Sequence, residues 1–198
     1  MNSKNSVLDT LHINLWGIPG SGKFDVATEL HSVLSRMGIS TEIVQEYAKE
    51  LGWAGDLARF DANGDMIEVD QFVISAEQYR RENLVHGIAL VAITDAPVLA
   101  GVLYASEEDE QGFKSLLRRR TSGWRNLDVL LSRAVEHGYG SRGRIQSRDE
   151  ALAMMPRLEY LLMEERPNFA RLSAENAVSL IVPMVIKRLK SSSVPILF

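Results

Sequence analysis

The sequence predicts an α/β fold in which parallel strands are joined by helical crossovers. Three observations carry this expectation. Short apolar runs alternate with helix-length amphipathic stretches along the chain. No internal repeat, low-complexity block or Pro/Gly/Ser-rich linker divides it. Its 198 residues, 45% hydrophobic and 24% charged, are enough for one domain (residues 1–198) with a full core. In order, residues 12–16 read as the first strand, short and apolar, and residues 23–37 as a helix that Gly38 ends. A second strand is expected over 41–45, with a helix beginning after Glu46 and another over 67–85. The third strand, 89–94, precedes a helix at 107–120, and the fourth, 127–131, precedes one at 149–165. A fifth strand over 169–173 and a helix over 177–190 complete the alternation. In such a sheet ligands gather at the carboxyl ends of the strands, which singles out Gly17, Glu46, Asp95 and Arg133.

Composition excludes several classes of function. Cysteine is absent, which removes disulfides, thiolate zinc sites and a cysteine nucleophile and makes a reducing, cytoplasmic setting the expected one. The first ten residues are polar and lack the apolar core of a secretion signal. Residues 87–105 are apolar enough to raise the question of a membrane span. Asp95 and Pro97 at its centre fit a strand end, a turn and a buried helix better than a carboxylate in lipid. Net charge is −4, yet nine basic residues stand against two acidic ones between Lys114 and Arg148. A globally acidic chain is a poor general binder of nucleic acid, whereas one basic segment fits a small phosphate-bearing ligand.

The first strand runs directly into Gly17-Ile18-Pro19-Gly20-Ser21-Gly22-Lys23-Phe24, a GxxxxGK loop in the strand–loop–helix setting that gives this motif its meaning. Its glycines let successive N–H groups turn inward, the helix N-terminus adds partial positive charge, and Lys23 supplies a mobile cation. Together they would hold the β- and γ-phosphates of a nucleotide. The position after the lysine departs from the motif: Phe24 stands where Ser or Thr would place a hydroxyl on magnesium. Asp25 is rotated by about 100° around the helix and is a poor substitute. Magnesium would then rely on phosphate oxygens, water and Asp95.

Glu46 follows the second strand, where a carboxylate can accept a proton from a substrate hydroxyl or simply stabilise a helix start. Asp95 ends the third strand within apolar sequence. It can belong to a metal shell or be paired structurally, but burial obliges it to meet a cation, a donor or water. Arg133, followed by the glycine-rich segment containing Arg142 and Arg144, has the make-up of a lid over residues 133–148 that would bring arginines onto a transferring phosphoryl group; a solvated basic loop is the plainer reading. Arg118, Arg119 and Arg120 cover most of a helix circumference and read as surface. Gln71 and Gln78, two turns apart on one helix face, could read the edge of a base. Trp53, Tyr79, Tyr104 and Trp124 could stack on it, although core packing is the commoner fate of such rings. The four histidines show no metal-ligand spacing.

With residues 17–23, Glu46-Tyr47-Ala48-Lys49-Glu50, Thr94-Asp95-Ala96-Pro97, Asn126-Leu127-Asp128, Arg133 and Gly143-Arg144-Ile145-Gln146 in one order, the chain resembles the AAA-type ATPase/kinase-like P-loop proteins common in bacteriophages. These are similar to nicotinamide riboside kinase domains and, more distantly, to nucleoside and nucleotide kinases. The resemblance implies a five-stranded parallel sheet in the nucleoside monophosphate kinase arrangement, ATP as donor, magnesium, and a nucleoside or nucleotide acceptor. It also implies that Lys23 is the phosphate-binding lysine, Glu46 the acid after the second strand, Asp95 the metal-side acid, Arg133 and Arg144 the lid arginines, and Gln78 a base-reading amide. Phe24 gives the loop an atypical ending.

The leading expectation is phosphoryl transfer from ATP to a nucleoside-like small molecule. A nucleotide-binding protein that has lost catalysis, acting as a switch or partner subunit, is the alternative that Phe24 favours. A kinase acting on a modified base in DNA is a third, which the acidic balance disfavours. The apolar tail from Val194 to Phe198 could dock on a second copy or on its own body.

Overall fold

Strand β1, Leu11–Trp16, is buried along its whole length because it is paired on both edges. It lies parallel to β5 (Val91–Thr94) on one side and to β6 (Arg125–Ser132) on the other, with Asn14 opposite both Thr94 and Asp128. β2 (Thr41–Val44) extends the sheet beyond β5, and β7 (Ala170–Ser173) extends it beyond β6. The resulting five-stranded sheet is parallel throughout, in the order β2-β5-β1-β6-β7. The computed structural model describes residues 8–55, 58–60, 66–68, 71–106, 110–132 and 148–191.

Alternation along β1 and β6 sends side chains to two different layers. Leu11, Ile13, Leu15, Leu127, Val129 and Leu131 pack on one face against α1 (Lys23–Arg36) and α7 (Ala177–Lys190), through Val26, Leu30 and Leu34 of the first helix and Ile181, Val185 and Leu189 of the last. That apolar stripe holds α7 helical across Pro183, which supplies no N–H of its own. On the opposite face Trp16 and Leu130 join Val98, Leu99 and Val102 of the short 3-10 helix Val98–Tyr104, with α4 (Glu110–Thr121) and α6 (Met155–Glu165) completing the layer.

This second face is unusually polar at its centre. Asn14 Nδ2 donates to Asn126 Oδ1 at 3.0 Å and to Asp128 Oδ1 at 2.9 Å, and Trp16 Nε1 donates to the same Asp128 oxygen at 2.8 Å. The Trp124 ring stacks on His12 at 4.2 Å and on Tyr79 at 5.7 Å, and His12 shares a 3.0 Å hydrogen bond with His86. Tyr79 and Trp124 are thus committed to this internal stack, not to a base, and His12 and His86 serve packing. Helix α3 (Gln71–Val85) turns its buried residues Ser75, Gln78 and Glu82 toward this layer, with the Val98 N–H donating to Glu82 Oε1 at 2.9 Å.

Two expectations need correction. The helix expected over 67–85 begins at Gln71, because Ile67 lies in β4 (Met66–Glu68), antiparallel to β3 (Ala58–Phe60). Asn63-Gly64 between these strands is the hairpin signal for that two-stranded sheet, which the expectation lacked. The helix expected over 149–165 is divided into α5 (Arg148–Ala153) and α6, broken at Met154 where Pro156 lacks the N–H that would continue the ladder. Within the basic segment Arg133, Arg142 and Arg144 lie outside the described residues, and described members are paired with acids. Lys114 bonds Glu164 at 2.8 Å, Arg118 pairs with Glu165, and Arg125 meets Asp9 at 3.1 Å. Residues 87–105 form β5, the turn at Pro97 and the 3-10 helix, and no described helix is long and apolar enough to cross a membrane.

The buried polar face makes stability depend on pH from both sides. Burial, with His86 beside it, holds His12 at about 3 against 6.5 in a free imidazole; its contribution is complete above 6.5 and is lost as the pH falls toward 3. Burial pushes Glu82 from 4.5 to about 8, against the pull of the Val98 amide and the nearby Gln78. Its contribution is complete below 4.5 and is lost as the pH rises through 8. Glu82→Gln keeps the acceptor for Val98 without the ionisation. In urea unfolding, its midpoint is expected to rise relative to wild type between pH 5 and pH 8.5.

Candidate functional site

The loop between β1 and α1 is shaped by backbone that only glycine accepts comfortably. A Cβ on Gly17 would lie 2.3 Å from Ser21 Oγ and 3.1 Å from the Leu131 carbonyl, so the loop is drawn tightly onto the end of β6. Gly22 caps α1 in the left-handed region, at φ 86°. Ser21 N–H donates to the Ile18 carbonyl at 3.1 Å, closing the bend that includes Pro19 and Gly20. Lys23 folds back over it, its Nζ donating to the carbonyls of Gly17 at 2.8 Å and Ile18 at 3.1 Å. Ser21 Oγ is buried without a hydrogen-bond partner among the described residues. A closed bend, a helix N-terminus and an ammonium at one point make an anion cradle.

Asp95, one residue beyond β5, is 4% exposed and borders the cradle. Burial raises its carboxyl pKa, opposed by the charges of Lys23 and Lys49 and by the backbone N–H groups of Asp95 itself and Glu46. Its Oδ1 has no hydrogen-bond partner among the described residues. The Glu46 amide thus ties the end of β2 to the end of β5. Glu46 itself is the N-cap residue of α2 (Tyr47–Ala54) but makes no side-chain cap hydrogen bond.

Helix α2 is anchored to α3. Arg81 forms two 2.6 Å hydrogen bonds with the carboxylate of Glu50 and a third to Glu77 at 3.0 Å, and its guanidinium lies 4.8 Å from the Tyr47 ring centre. Gln78 Oε1 accepts the Tyr47 N–H at 3.0 Å, while its buried Nε2 is not in hydrogen-bonding geometry with a described group. Gln71, on the same face of α3, donates to Ser75 Oγ at 3.3 Å. The stripe Gln71, Ser75, Gln78 and Glu82 is longer than the glutamine pair expected from the sequence, and three- and four-residue spacing is the signal that joins its members.

The structure therefore gathers Lys23, Asp95 and the backbone of Glu46 at the carboxyl ends of β1, β5 and β2, with Gln78 holding the start of α2. Arg133, Arg142 and Arg144, the lid expected over 133–148 except the backbone at its last residue, and the tail from Val194 lie outside the described residues. One residue at the site went unassigned in the sequence. Lys49 places its Nζ 4.4 Å from the centre of the Phe24 ring and 5.2 Å from that of Trp53. Trp53 is its i+4 neighbour, a readable spacing, but Phe24 is brought to it only by the fold.

Magnesium, which a loop of this kind implies, finds a poor protein donor set. Residue 24 contributes a ring, and Asp95 already lies in the field of two lysines. Among the described residues there is no group of three or more acidic or histidine side chains able to hold a metal.

No family model matches the chain, and neither does any curated protein. Among solved structures it is similar to NadR protein in complex with NR, at a TM-score of 0.62 and 14% identity, over 96% of this chain and 54% of that one. NadR in complex with NAD and AMP-PNP aligns at a TM-score of 0.54 and 16% identity, over 96% of this chain and 52% of that one. The chain spans about half the length of these NadR chains. Sheet order and these likenesses together show a five-stranded parallel α/β fold shared with the NadR structures.

Gly17→Ala is expected to cost about 1–3 kcal/mol in urea unfolding. Adding Ser21→Ala should restore only part of this, because the Leu131 carbonyl remains 3.1 Å from the new Cβ.

Proposed function

We propose that this chain is an ATP-dependent phosphotransferase acting on a nucleoside, nucleotide or nucleoside-like small molecule. The observation that carries this is the convergence of Lys23, folded over the bend from Gly17 to Gly22, with Asp95 at the adjacent strand end. In this reading the loop amides and Lys23 hold the β- and γ-phosphates, and Lys23 offsets charge developing on the transferred group. Glu46 accepts the proton of the acceptor hydroxyl or anchors it. Gln71 and Gln78 face the acceptor side, and Arg133, Arg142 and Arg144 close over the phosphates as a lid in one domain. The NAD and AMP-PNP of one NadR structure support a nucleotide in the cradle. Magnesium, where bound, would be carried by the phosphate oxygens and water with Asp95 beside it, and would offset phosphate charge.

Phe24 supports a second reading, a nucleotide-binding protein without turnover. ATP consumption measured across nucleosides, nucleotides and nicotinamide riboside separates the two. The kinase reading expects one acceptor to raise turnover above the rate with ATP alone, and Glu46→Gln to lower that turnover by about 10²-fold or more. ATP binding with no acceptor-stimulated turnover establishes the binder instead. Lys23→Ala should weaken ATP binding at least about tenfold in calorimetry under either reading.

A further inference from the structure

The loop carries an aromatic ring where a metal-ligating hydroxyl belongs, and that ring is occupied. Phe24 is 42% exposed at the start of α1, and the Lys49 ammonium lies against its face at 4.4 Å. The Trp53 ring approaches the same ammonium at 5.2 Å. A lysine stem is ordinarily mobile, and two ring faces restrict where its charge can sit. That location is next to the phosphate cradle, since Phe24 directly follows Lys23 at the start of α1; the charges of both lysines also act on the buried carboxylate of Asp95. Two ammonium groups bearing on one buried carboxylate favour a polyanion there. Among the described residues the buried Ser21 Oγ has no hydrogen-bond partner, and its hydroxyl can donate to a phosphate oxygen.

We propose that Lys49, seated on Phe24 and Trp53, is a phosphate-binding cation that takes over the charge-neutralising task of a loop-held magnesium ion, so that this chain binds nucleoside polyphosphates without a divalent metal. The proposal rests on the reading of residues 17–23 as a nucleotide site. Phe24 in this view is no defect. A ring cannot ligate a metal but does hold an ammonium, so one position exchanges one source of positive charge for another. The reach of Lys49 comes from α2, whose mooring to α3 through Glu50 and Arg81 fixes the base of the lysine stem.

Calorimetry with ATP, in excess magnesium and again in excess EDTA, tests this on the full chain, with circular dichroism confirming that each variant is folded. Wild type is expected to bind ATP in EDTA with an affinity less than fivefold below that in magnesium. Lys49→Ala and Lys49→Gln should each lose at least tenfold in EDTA. Phe24→Ser, which unseats the lysine and supplies a hydroxyl, should bind at least tenfold more tightly in magnesium than in EDTA. A wild-type affinity that falls fivefold or more in EDTA, or Lys49 variants that retain wild-type affinity there, overturns the role of Lys49 and leaves the nucleotide site standing. No ATP binding by folded wild type in either buffer overturns the nucleotide site itself, and this proposal with it.

Discussion

Strand β1 is hydrogen-bonded along both edges, and this double pairing decides where every group at the candidate site can lie. A strand held on one side can shear or slip, whereas β1 has its register set by β5 and β6 together. The loop that leaves it at Gly17 therefore starts from a fixed height between the ends of its two neighbours. The Leu131 carbonyl on one side and Asp95 on the other become walls of the cradle for that reason. Burial of the sheet, not local loop propensity, gives the bend its rigidity.

The two faces of that sheet are built on different principles. One is apolar from β1 through α1 and α7, and such packing tolerates exchange among side chains of similar volume. The other buries Asn14, Asp128, Glu82 and a His12–Trp124 stack, where each polar atom needs its partner. Polar side chains at β1 positions 12 and 14 specify which helices can cover this face, since a wrong neighbour would leave them unsatisfied. The cost is a carboxyl held neutral near neutral pH and an imidazole that resists protonation.

The sheet was legible in the sequence because its five strands are short apolar runs separated by helix-length stretches, and the glycine-rich bend with Lys23 was legible because its spacing is itself the geometry. Boundaries failed where one residue outweighed periodicity. Pro156 divides a helix that reads as continuous, and Ile67 leaves the helical pattern for the strand Met66–Glu68. Asp95 was visible as a lone carboxylate in apolar surroundings. The seat of Lys49 was not, since Phe24 and Trp53 meet it from different elements and local sequence holds only one of the two distances. The aromatics Tyr79 and Trp124 looked equally available for a ligand because composition does not record that the Trp124 ring is already stacked on both His12 and Tyr79.

The bond of Arg81 to Glu50, with Glu77 alongside, joins α2 and α3 into one body. Lys49 stands on one member of that body and Gln78 on the other, so the spacing between their backbones is a dimension of a solid wall. Under the proposed reading that dimension would act on an acceptor as a gauge block does, selecting by length and outline, and widening the gap would call for new side chains along the wall in preference to a swing of either helix.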